Sequence, residues 1–135
     1  MAAKLNGKWK MKNSENFDEY MKALGVGLAL RKLGNIAKPV LTIEIKGSAI
    51  KMKSVSTAKT MHAECTLDQE WDEETADGRK CKSIMTMDGD KLVQRQKWEG
   101  KESILTRYVD GDDLLQIECV LGDIVSKRTY ERAEK

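Results

Sequence analysis

Three side chains in the second half of this chain have types and spacing that could do chemistry together: Arg107 in "SILTRYV", and Arg128 with Tyr130 in "VSKRTYE". Strand residues two apart share a side, so Leu105, Arg107 and Val109 form one set, and Ile124, Ser126, Arg128 and Tyr130 another. If both sets face inward, two guanidinium groups and a phenol meet inside the fold. The guest they suit is an anion, most simply a carboxylate held bidentately. If they face outward, they are ordinary exposed side chains, the usual condition of arginine. The local pattern leaves both readings open.

Other candidate chemistry is thin. His62, the only histidine, stands in "HAEC", where H-x-E lacks the P-C-x-x-C of a zinc deaminase; an ordinary surface side chain explains it. "GVG" at 25–27 does not continue as a dinucleotide fingerprint, because position 30 is Leu30. The Asp-rich turns lack the fixed ligand spacing of a calcium loop, and no serine lies in G-x-S-x-G. No catalytic residue, metal or cofactor is expected, and nothing argues for an enzyme.

The elements that must position Arg107, Arg128 and Tyr130 are strands. Beyond Pro39, turn signals recur at short intervals: "KGS", "ADGR", "DGD", "WEGKE", "DGDD" and "GD". Such spacing, rich in Asp-Gly, signals a meander of hairpins. "LTIEI" sets Leu41, Ile43 and Ile45 against Thr42 and Glu44, and "LQIEC" sets Leu115, Ile117 and Cys119 against Gln116 and Glu118. These are strands with one covered face. "CKSIMTM" mixes apolar and polar residues on both faces, as a barrel with a partly polar interior would. Residues 14–35 differ. Ser14 is the expected N-cap of a helix carrying Phe17, Met21 and Leu24. After "GVG" a second short amphipathic helix is expected to end near Gly34 and Asn35. The layout is one strand over about 7 to 13, two short helices and roughly nine more strands.

The whole chain, 1–135, reads as one domain. Its 24 basic and 22 acidic residues are scattered and nearly cancel to +2, so nucleic acid is not an expected partner. No signal-peptide run or membrane-spanning run is present, and the three cysteines lack CxxC spacing; reduced thiols in the cytosol are expected. A hydrophobic share of 40% with one Phe and a mean hydropathy of −0.56 would make an all-apolar core thin. A small core or a wet interior follows.

"GKWKMKNSENFDEYMKAL" (7–24) resembles the signature of the intracellular fatty acid-binding proteins, and the likeness continues in order through "GVGLALRKLG", "AKP", "TADGRK", "VQRQKWEGKE" and "KRTYE". It is nearest in character to the heart, epidermal and myelin group of that family. The resemblance implies an all-β fold: a ten-stranded up-and-down antiparallel β-barrel, lipocalin-like (calycin), capped by a helix-turn-helix. It also implies a water-filled cavity that holds one long-chain fatty acid for transport, and a monomeric protein of the cytoplasm and also the nucleus. Arg107, Arg128 and Tyr130 match the family's carboxylate-binding trio, which favours the inward reading, and Phe17 and Met21 match cavity-facing positions of the first helix. A retinoid (retinoic acid) carrier shares the same logic, and a structural or regulatory member with weak lipid binding is the third alternative.

Two departures carry consequences. Relatives place a bulky apolar residue where Ala58 stands beside the portal, and the turn "DGDD" looks one residue longer than usual. Counting forward from Arg107 puts Gln116 and Glu118 inside; counting back from Arg128 puts Leu115, Ile117 and Cys119 there. The second count is preferred, because it gives the cavity apolar walls. Lys22, Arg31 and Lys32 would give the helical cap a basic face able to meet anionic membranes, unless it is simply a solvated helix surface.

Overall fold

The computed structural model of the chain describes residues 2–56, 59–111 and 113–133. A short 3-10 turn over Ala2–Leu5 precedes β1 (Gly7–Glu15), and two helices follow, α1 (Phe17–Ala23) and α2 (Leu28–Ile36). Nine further strands complete the chain: β2 (Val40–Lys46), β3 (Ala49–Val55), β4 (Thr60–Thr66), β5 (Trp71–Glu74), β6 (Lys80–Asp88), β7 (Lys91–Trp98), β8 (Lys101–Asp110), β9 (Leu114–Leu121) and β10 (Ile124–Arg132).

Each strand pairs antiparallel with its sequence neighbour, except that β4 and β5 do not pair and β1 pairs with β10. The order β4-β3-β2-β1-β10-β9-β8-β7-β6-β5 therefore wraps round into a nearly closed barrel with one seam. At one end of the seam the chain just past β4 bonds to both sides: Leu67 N–H donates to Ser48 O between β2 and β3, and Asp68 N–H to Met85 O of β6, both at 2.8 Å. The tight reversals use glycine where the backbone is left-handed, as at Gly89 and Gly122 (φ 62° and 59°).

Alternation in the sequence becomes alternation in burial. Leu41, Ile43 and Ile45 point inward from β2, and Leu5, Trp9, Ile43, Ile50, Met85, Leu92 and Leu115 are closed off in one apolar cluster. Each such side chain contributes about 1.5–3 kcal/mol by leaving water. On β7 the same inward parity carries Leu92, Gln94, Gln96 and Trp98, all buried. Half of that face is polar, which is the mixed interior that the composition calls for.

The helical cap starts later than Ser14 suggests. Strand β1 runs on to Glu15, with Ser14 paired to Arg128 and Glu15 to Lys127, and Asn16 takes the cap position with φ 59° and no side-chain bond to the helix. Ladder bonds to β10 outcompeted the local N-cap. Helix α2 likewise continues through Gly34 and Asn35 to Ile36. Gly34 serves close approach rather than termination: a β-carbon there would lie 2.8 Å from Met21 Sδ of α1.

No residue of α2 is buried. Polar contacts hold it instead: Arg31 Nε donates to Asp18 Oδ1 (3.2 Å), Arg31 Nη1 to Val26 O (3.1 Å), and Asn35 Nδ2 to Asp18 Oδ1 (2.9 Å). The Asn35 bond, with help from Arg31, keeps the Asp18 carboxyl below its usual range.

Candidate functional site

Arg107 of β8 and Arg128 of β10 both take Ile117 of β9 as cross-strand partner. The three side chains therefore form one row on the inner face of the barrel, since directly opposed residues share a side. One step along the same face, Tyr130 pairs with Leu115, and Ser126 and Leu105 both pair with Cys119. Arg107, Ile117, Cys119, Arg128 and Tyr130 line a cavity of about 610 Å³. Phe17 and Met21 close it from α1. Leu115 shares the face and is fully buried in the apolar cluster.

The register settles which way β9 faces. Asp110 pairs with Leu114 and Arg107 with Ile117, so Leu115, Ile117 and Cys119 share the inner face. Glu118 then lies on the outer face, where its Oε2 accepts from the Tyr108 hydroxyl at 3.1 Å. Gln116, on that outer face too, accepts from Thr129 Oγ1 at 2.7 Å. The cavity is spared a competing carboxylate from β9.

Electrostatically the row is unusual. Arg107 is 8% exposed, and its Nε and Nη1, with Nε of Arg128, are the buried side-chain nitrogens that lack a hydrogen-bond partner among the described residues. Burial pushes the Arg107 guanidinium down from its ordinary value, opposed by Cys119 and Glu73. Arg128 is better held: Nη2 donates to Met11 Sδ at 2.8 Å, and its guanidinium carbon sits 3.9 Å from the Phe17 ring centroid. Burial raises the Tyr130 phenol, with Arg128 pulling the other way. Burial also lifts the Cys119 thiol to about 11, so it is protonated and unreactive near neutral pH.

A second polar wall, which the sequence reading missed, lies on β5 to β7. Glu73 Oε1 accepts from Ser83 Oγ (2.7 Å), Gln94 Nε2 (2.8 Å) and Gln96 Nε2 (3.0 Å). Gln96 Oε1 in turn accepts from Arg79 Nη1 at 3.5 Å, and Arg79 is clamped by Asp77 at 2.7 Å and stacked on Trp98 at 4.4 Å. Burial opposes ionising Asp77 and Arg79, but their mutual bonds win and hold both charged. The signal was available in "KLVQRQKW", where Gln94 and Gln96 share parity with Leu92 and Trp98.

Of the remaining sequence candidates, Ala58 lies outside the described residues. Lys22 and Lys32 are exposed, whereas Arg31, with its side chain 19% exposed, is taken up by Asp18 and Val26. His62 is exposed, and the three cysteines are free thiols.

Comparison with known proteins agrees with the barrel fold. The profile of the "Lipocalin / cytosolic fatty-acid binding protein family" matches residues 6–133. Fatty acid-binding protein 5 of Rattus norvegicus is 47% identical over 130 residues, 96% of each chain. Among solved structures, the REP1-NXSQ fatty acid transporter superposes with a TM-score of 0.95 at 42% identity over 99% of each chain. A Schistosoma mansoni fatty acid binding protein in complex with arachidonic acid superposes at 0.94, with 34% identity over 98% of each.

Proposed function

The chain belongs to the lipocalin / cytosolic fatty-acid binding protein family, and from that premise we propose that it binds and carries long-chain fatty acids, holding the carboxylate with Arg107, Arg128 and Tyr130. The observation that carries this reading is the set of buried guanidinium nitrogens without partners among the described residues. A buried donor left unpaired costs about 1–3 kcal/mol, and more when charged. Such donors are retained where a ligand supplies the acceptor, and a carboxylate matches the guanidinium fork.

The tail supplies most of the drive. About 15 methylenes at ~0.8 kcal/mol each give on the order of 12 kcal/mol, against an association cost of roughly 4–15 kcal/mol. Micromolar affinity needs about 8 kcal/mol, so a sheathed tail and a paired head are both required. A cavity of about 610 Å³ is in the size range that encloses such a ligand. The protein acts as a monomer without cofactor, and its free cysteines fit a reducing cytosol and nucleus.

The test is displacement of a fluorescent probe by oleate, methyl oleate and retinoic acid. Oleate is expected to win, and Arg128→Ala to weaken oleate about ten- to a hundredfold while leaving the methyl ester nearly unchanged. Equal losses for acid and ester would remove the carboxylate role; retinoic acid winning would move the protein to the retinoid carriers.

A further inference from the structure

The wall beside the arginine row gathers its polar groups on one carboxylate. Ser83, Gln94 and Gln96 are 0%, 1% and 5% exposed, so their polar groups are spent inside the barrel. All three donate to one oxygen, Glu73 Oε1. Glu73 lines the cavity, and its other oxygen, Oε2, accepts no hydrogen bond from the described residues. An ionised carboxylate has about four acceptor sites and no donor, so what it can still take is a hydrogen.

The arrangement is pre-set rather than adaptable. Asp77 fixes Arg79, Arg79 donates to Gln96 Oε1, and this forces Gln96 Nε2 toward Glu73. A plain alkyl chain gains no hydrogen bond from such a wall. The wall is also near the head: Gln94 pairs with Leu105, two residues along β8 from Arg107, a diagonal of roughly 7–8 Å between backbones.

We infer that Glu73 is a second ligand-binding station, selecting fatty acids that carry a hydroxyl group along the chain, with the hydroxyl donating to Glu73 Oε2 while the carboxylate occupies the arginine row. This rests on the fatty acid reading above and adds a ligand class to it. The recognition is directional: a hydroxyl donates, whereas a ketone at the same carbon only accepts and meets a carboxylate oxygen repulsively.

The experiment measures Kd for stearate, a set of monohydroxystearates differing in hydroxyl position, and the matching ketostearates, in the wild type and in Glu73→Met. One hydroxy isomer is expected to bind about tenfold or more tighter than its ketone, and Glu73→Met to erase most of that ratio while stearate holds or improves. The ratio is read within each protein, so it does not depend on the fraction folded. Should Glu73→Met fail to fold, Glu73→Gln, which keeps the shape and removes the charge, should cut the same ratio severalfold. A ratio near one at every position, or one untouched by Glu73 substitution, would overturn this inference while stearate binding still upheld the fatty acid reading. Loss of binding for every acid in the wild type would overturn both.

Discussion

The Arg128 guanidinium carbon lies 3.9 Å from the centre of the Phe17 ring, so the head of the proposed site and the first helix of the cap are in direct contact. Phe17 also stacks with Tyr20 at 6.1 Å between centroids, and Tyr20 shares a hydrogen bond with Ser103 inside the barrel. One cation therefore touches both the ligand's expected head and the lid over it. Replacing Phe17 by Leu keeps apolar volume and removes the ring face, worth about 0.5–2 kcal/mol to the cation. The expected outcome is release of oleate a fewfold faster or more, with a smaller effect on a fatty alcohol, read by stopped-flow transfer to vesicles.

Arg107 sets stability against binding. Its buried Nε and Nη1 lack partners among the described residues, and burial depresses its guanidinium, so Arg107→Leu should relieve a desolvation cost. Apolar replacement of a buried charge is often neutral or stabilising by about 1–4 kcal/mol. We expect the ligand-free variant to unfold at higher denaturant concentration while its oleate affinity falls about tenfold or more. An equal drop in both quantities would mean that Arg107 is structural.

Alkaline stability should decline early. Burial holds the Tyr20 phenol at about 12 and the Cys119 thiol at about 11 in the folded chain, against ordinary values of 10.0 and 9.0. Both folded values are raised, so above the ordinary value the unfolded chain ionises first and binds fewer protons than the native one. Stability is then whole below about pH 9 and is lost progressively as pH rises toward 12. Burial lifts the Cys65 thiol to about 11 as well, so Cys119→Ala should reduce, not abolish, the slope between pH 9 and 11, by on the order of 2 kcal/mol across that range. Denaturant titrations across that range check it; an unchanged slope would exclude the thiol.

We propose that the helical cap meets anionic membranes, and that Lys22 and Lys32 do the electrostatic work there while Arg31 does not. Arg31 is committed to Asp18 and Val26, while α2 leaves Leu28 59% and Ile36 75% exposed. Charge reversal at Lys22 and Lys32 should slow transfer to anionic vesicles severalfold at low salt, with the gap closing as salt rises. Arg31→Ala should instead loosen the cap and speed ligand exchange with vesicles of any charge. Transfer indifferent to lipid charge would reduce the cap to a solvated surface.

Much of the frame was legible from local pattern, because burial on one face leaves its mark every second residue. "LTIEI" and "LQIEC" announced inward Leu41, Ile43, Ile45, Leu115, Ile117 and Cys119, and the Asp-Gly pairs announced the hairpins. Boundaries were less legible where two local solutions compete. Ser14 is a good helix cap in isolation, but its backbone groups were worth more in the ladder with Arg128.

By itself, then, the sequence determined strand number, alternation and turn chemistry, since these depend on residues a few positions apart. Which face of β8 and β10 looks inward was undecidable at that range, and the tertiary structure decided it through register: Arg107 and Arg128 meet because both lie opposite Ile117. The same holds for Phe17 on Arg128 and for Glu73 under Ser83, Gln94 and Gln96. Closing a barrel brings distant side chains into one enclosed space, where a buried unpaired donor becomes costly enough to call for a ligand.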